Sequence, residues 1–173
     1  PMMEFGNYNG PNIEYGRYDL SAGDAAREVF TLPAAMPICG FTWHLGCIAA
    51  GSIKFVAYNA AGAQVWTQTK SFTPDVTWKS IGSARYMTTS TKEIQFADPL
   101  TANSGQFIIA AEIQSGQFGF GVSRNGTTYG FTNPQPSNSM VKQGGSSFKN
   151  TNIWGHSGSG STQENWAVTL HRT

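Results

Sequence analysis

From Arg27 onward the chain alternates. In Arg27-Glu28-Val29-Phe30-Thr31-Leu32 apolar and polar side chains take turns, as in a strand with one face in a core. Pro33 and Pro37 punctuate, and Ile38 to Leu45 then sets Cys39, Phe41, Trp43 and Leu45 against Gly40, Thr42 and His44. Ile53 to Tyr58 is a short, mostly apolar strand. Asn59-Ala60-Ala61-Gly62 predicts a hairpin turn, with Gly62 free to take positive φ, and Gln64 to Lys70 runs back out. Thr77 to Ile81 and Glu93 to Phe96 predict two further strands. Asp98 to Gly105 predicts a loop into Gln106–Ile113, whose continuous apolar run suits a central strand covered on both faces. Gly116 to Val122 and Thr127 to Phe131 flank a tight Asn125-Gly126 turn. Asn133 to Ser147 predicts a long loop, and Asn165 to His171 a closing strand that pairs near Val29.

Only Ala22 to Glu28 has a helical pattern, and it is short. About ten short strands with turn signals every 8–12 residues predict an all-β fold, a jelly-roll-like antiparallel β-sandwich. Residues 1–26 read as a linker or N-terminal extension and 27–173 as the sandwich. The start at Pro1-Met2-Met3 lacks the charged and apolar regions of a secretory leader, and the chain reads as the folded part of something longer.

Composition sharpens this picture. Charged residues make up 12% of the chain and aromatics 13%, so solubility rests on hydroxyls and amides instead of Glu/Lys helices. The formal charge of +1, with no run of Lys or Arg, gives no electrostatic case for nucleic acid. No apolar stretch approaches the length of a transmembrane helix, so no membrane insertion is expected. Cys39 and Cys47 would stand about 26 Å apart along a straight strand, beyond disulfide reach. They can pair only if the chain bends back near Leu45-Gly46; otherwise they are two buried free thiols.

Candidate chemistry is sparse. His44, His156 and His171 show no metal-ligand spacing, so no zinc site is expected. Asp98, Glu93 and Glu112 lie in one stretch from which a sandwich can bring two carboxylates to glycosidase distance. No cofactor is expected beyond a structural calcium, for which Asp19, Asp24 and Asp98 are the candidates. Aromatics with nearby amides are the better signal, because a sugar offers an apolar C–H face and a rim of hydroxyls. Two segments fit. Arg124-Asn125-Gly126-Thr127-Thr128-Tyr129 supplies a cation, an amide and a phenol at a hairpin tip. Asn150-Thr151-Asn152-Ile153-Trp154-Gly155-His156 sets a Trp among small polar residues with no strand pattern to bury it. Trp154 and Tyr129 are thus the expected stacking platforms, with Arg124, Asn152 and His156 as hydrogen-bonders. Trp43 and Trp166 fall on alternating strands and are assigned to the core; Trp66 and Trp78 are balanced between core and surface.

The order of elements resembles the jelly-roll sandwiches of carbohydrate-binding modules and the C-terminal domains of bacteriophage tailspikes and tail fibres. The resemblance rests on Val29-Phe30-Thr31-Leu32-Pro33, the strand and turn from Ile53 to Gly62, the loop and strand from Phe96 to Ile113, and the closing strand from Asn165 to His171. It implies a binding or trimer-capping domain on a virion surface or a secreted polysaccharide-active protein. The expected function is therefore non-catalytic binding of cell-surface or polymeric carbohydrate, by a homotrimer acting in host-receptor binding. A ligand-free homotrimerisation domain is the alternative. A small polysaccharide lyase or hydrolase using Glu112 or Asp98 is a further one.

Overall fold

A computed structural model describes residues 3–6, 16–81, 84–87, 90–124, 137–151 and 164–172. They form strands β1 (Met3–Gly6), β2 (Gly16–Ser21), β3 (Ala25–Leu32), β4 (Met36–Tyr58), β5 (Gln64–Phe72), β6 (Trp78–Ile81), β7 (Ala84–Met87), β8 (Ser90–Ala102), β9 (Gly105–Arg124), β10 (Ser137–Lys142), β11 (Lys149–Asn150), β12 (Glu164–Trp166) and β13 (Val168–Arg172). All pairing among them is antiparallel. No helix occurs among the described residues, and none is long and apolar enough to cross a membrane.

Two long strands organise the molecule. A straight strand would put Phe41 and Phe55 about 46 Å apart. Both lie on β4, yet their ring centroids are 5.4 Å apart, so β4 doubles back. Its bend falls where the β4–β9 register slips, between Cys47 and Ile53. β9 turns at the same place through Gly116, whose φ of 79° lies in the left-handed region. One layer carries, in order, β5, the second half of β4, the first half of β9, β3, β10 and β11. The other carries β8, the first half of β4, the β12–β13 segment, the second half of β9 and β2, with β1 added beside β13.

Between the layers lies an aromatic core. Trp43 meets Phe120 edge to face at 5.5 Å, Phe120 meets Trp166 at 5.8 Å, and Phe72 of β5 reaches across to Phe118 of β9 at 5.7 Å. Trp43 and Trp166 are fully buried, as their strand positions predict. Trp66, half-buried on an edge strand, packs on Phe96 at 4.5 Å and closes the open side of the sandwich. Both cysteines are free, Cys47 buried and Cys39 half-buried, Cys39 sitting where the β4–β8 register slips.

Several local expectations give way to tertiary pairing. The helical pattern at Ala22–Glu28 yields to a turn and then β3, because eight cross-strand pairs with β9 outweigh a weak helix propensity. The loop expected from Asp98 is strand through Ala102. Pro99 is tolerated because β8 is an edge strand, and residues 96–99 are skipped by the ladder in a bulge opposite Cys39. The long loop expected at 133–147 contains β10, paired over six residues with β3. The closing strand lies between β4 and β1 instead of beside Val29, whose neighbours are β9 and β10. The segment expected as a linker or extension contributes β1 and β2 to the sheet. The Asn125-Gly126 turn and the Thr127–Phe131 strand lie outside the described residues.

Candidate functional site

Opposite residues on antiparallel strands share a face, so the registers alone fix what the outer side of the first layer presents. With Ile53, Phe55 and Ala57 in the core, Lys54, Val56 and Tyr58 point outward. Three cross-strand rows follow. Tyr58, Ile108, Val29 and Asn138 stand side by side in the first. Thr67, Val56, Ala110, Arg27, Met140 and Asn150 form the second. Thr69, Lys54, Glu112, Ala25 and Lys142 form the third.

Val56 and Ala110 are 1% and 2% exposed although they point away from the core. Around them stand half-buried Tyr58, Lys54, Glu112, Arg27 and Asn138. Burial pushes the Tyr58 phenol up from its ordinary pKa, and the Glu112 carboxylate adds to the rise while Arg27 opposes it. One phenol, one carboxylate and one guanidinium therefore share a single electrostatic neighbourhood. The Arg27 guanidinium lies 4.1 Å from the centroid of the Phe148 ring and donates to Met140 Sδ at 3.5 Å. Its Nε is buried without an acceptor. Asn138 Nδ2 donates to Asn150 Oδ1 at 3.2 Å, bracing two amides at the rim.

A second polar cluster serves the fold. The backbone N–H of Cys47 donates to Asp75 Oδ1 at 2.7 Å, and the N–H of Asp75 donates to the Cys47 carbonyl at 3.0 Å. The Lys92 ammonium, largely buried, donates to Asp75 Oδ2 and to Ser90 Oγ. Burial would raise the Asp75 pKa, but the Lys92, Cys47 and Ser90 contacts outweigh it and hold the carboxyl below its ordinary value. Burial first, then the Asp75 charge, pushes the Cys47 thiol up, which disfavours a reactive thiolate. These groups latch the chain after β5 onto β4 and β8.

Arg124 ends β9 opposite Glu164 of β12; its side chain and all of Tyr129, Asn152, Trp154 and His156 lie outside the described residues. The chain positions from which those segments depart are nonetheless adjacent. Thr151 N–H donates to the Ser139 carbonyl, and Ser139 Oγ accepts from the N–H of Trp166, two residues beyond Glu164. Asn150, first residue of the Trp154 segment, stands on the face just described.

Of the three candidate carboxylates, Glu93 and Glu112 do not meet, because they stand on opposite outer faces of the sandwich. No group of three potential metal ligands gathers among the described residues. Of the calcium candidates, Asp24 has both oxygens engaged, accepting from Ser21 N–H at 2.9 Å and Gly144 N–H at 3.0 Å. Sequence reasoning missed Tyr58, Lys54 and Arg27. Their signal was faint, a Lys and a Tyr in the outward phase of an apolar strand. A comparison with known proteins finds no matching family model and no matching curated sequence.

Proposed function

We propose that this chain is a non-catalytic domain that binds cell-surface or polymeric carbohydrate on the outer face of its first layer. The observation that carries the proposal is the set of a phenol, a carboxylate, a guanidinium and two amides that the strand registers bring onto one outer face. The half-buried Tyr58 ring suits the C–H side of a sugar, and the polar groups suit its hydroxyls. All stand on paired strands, so little ordering accompanies binding. The face is shallow and weak as a single site, which favours display in several copies, as in a homotrimer at the tip of a phage tail fibre. That setting draws its support from composition and strand order.

The test is a polysaccharide panel followed by calorimetric titration. Tyr58→Ala, with its fold checked by circular dichroism, should weaken binding about tenfold, the loss of about 1.4 kcal/mol. Undiminished binding by Tyr58→Ala together with loss in Trp154→Ala would move the site to the 150–156 segment. Silence of the unaltered chain toward every glycan would overturn the proposal.

A further inference from the structure

We infer that the carbohydrate taken by this face is acidic, a carboxylate-bearing polysaccharide whose acid group docks at Arg27. The inference rests on the carbohydrate reading above and adds the ligand's charge class. It starts from an imbalance. The face carries Lys54, Arg27 and Lys142 against the single carboxylate of Glu112, in a chain whose whole formal charge is only +1. The excess of positive charge is therefore local.

Arg27 is the focus of that excess. Arginine usually carries its guanidinium out to water or pairs it with an acid. Here the group is half-buried against the Phe148 ring, and its described polar contact is the thioether of Met140, a weak acceptor. No carboxylate lies within ion-pair distance of it among the described residues, and its Nε–H is left without an acceptor. Flanking apolar groups lower the local dielectric, which strengthens any attraction the cation offers to an incoming anion. Phe148 and Met140 also restrict the guanidinium's position, so it is held ready before ligand arrives. Glu112, directly across from Lys54 and near the Tyr58 phenol, is placed to accept sugar hydroxyls.

The test uses polygalacturonate, alginate and polysialate, each beside its own carboxyl-reduced neutral form, with dextran sulfate as an anion of other chemistry. At least one acid form should bind at least tenfold tighter than its reduced partner, and the advantage should shrink from 50 to 500 mM salt, about one Debye regime to another. Arg27→Gln should erase the difference in affinity between each acid form and its reduced partner. If Arg27→Gln fails to fold, Lys142→Gln at the rim should narrow the preference. Equal binding of acid and reduced forms overturns the inference and leaves the carbohydrate reading standing. Dextran sulfate matching the carboxylated polymers, with Arg27→Gln unchanged, also overturns it, since the attraction is then unspecific. Silence toward all of these polymers counts against the carbohydrate reading itself.

Discussion

Replacing Gly51 by alanine tests whether the bend shared by β4 and β9 is sealed by backbone contact. A Cβ at Gly51 would lie 2.0 Å from the Ser115 carbonyl oxygen, 2.3 Å from its carbon and 2.6 Å from Gly116 Cα. Ordinary contact begins at 3.4 Å, so the shortfall is 3.4 − 2.0 = 1.4 Å, and backbone atoms must yield it. Overpacking of this kind costs about 1–3 kcal/mol. Weakening the adjacent hydrogen bond from Ser52 N–H to Ser115 Oγ, 3.1 Å long, adds about 1 kcal/mol. We expect a loss of about 3 kcal/mol and, at 2–4 °C per kcal/mol for a chain this size, a Tm lowered by about 6–12 °C in scanning calorimetry. Gly62→Ala is the control. Its φ of 82° strains an alanine, but nothing lies within 4 Å, so its cost is about 1 kcal/mol. Equal melting temperatures for the two variants would refute the backbone-contact reasoning.

Three further outcomes are expected. Ser139→Ala removes the hydroxyl that donates to buried Glu28 and accepts the Trp166 N–H, and should cost about 2–4 kcal/mol in urea unfolding. The Asp75 latch has a lowered folded pKa, so its stabilisation is complete above the ordinary 3.8 and fades as pH falls through the folded value. Because Asp75 is partly exposed the effect is about 1 kcal/mol or less, and Asp75→Asn should flatten the acid limb of the stability curve. Burial lowers the pKa of His44 from 6.5, so the unfolded chain protonates first and stability should drop as pH falls below that value. A His44→Gln curve with the same slope between pH 7.5 and 5.5 would contradict this.

What the sequence disclosed was local. The Asn59–Gly62 turn was legible because Asn59 Oδ1 accepts from Ala61 and Ala63 N–H and Gly62 takes positive φ, all within five residues. Trp43 and Trp166 were legible as core because period-two alternation marks a buried face. Register was not. Val29 was expected beside the closing strand, yet its partners are Ile108 and Asn138, far along the chain and set by packing of the whole sandwich. The candidate face was hidden for the same reason. Arg27, Tyr58, Glu112, Asn138 and Asn150 come from β3, β4, β9, β10 and β11, and only the assembled ladder makes them neighbours. Aromatic-plus-amide reasoning pointed to contiguous segments, because contiguity is what a sequence displays.

The doubled-back strands also bear on how the molecule comes apart. β4 and β9 each belong to both layers, so neither layer can be released as a unit while the other keeps its ladder. The sandwich therefore behaves as one cooperative block instead of two stacked plates. Amides of residues 36–58 and 105–121 should exchange with solvent through a single global opening, later than those of the edge strands, and no half-molecule should survive in isolation.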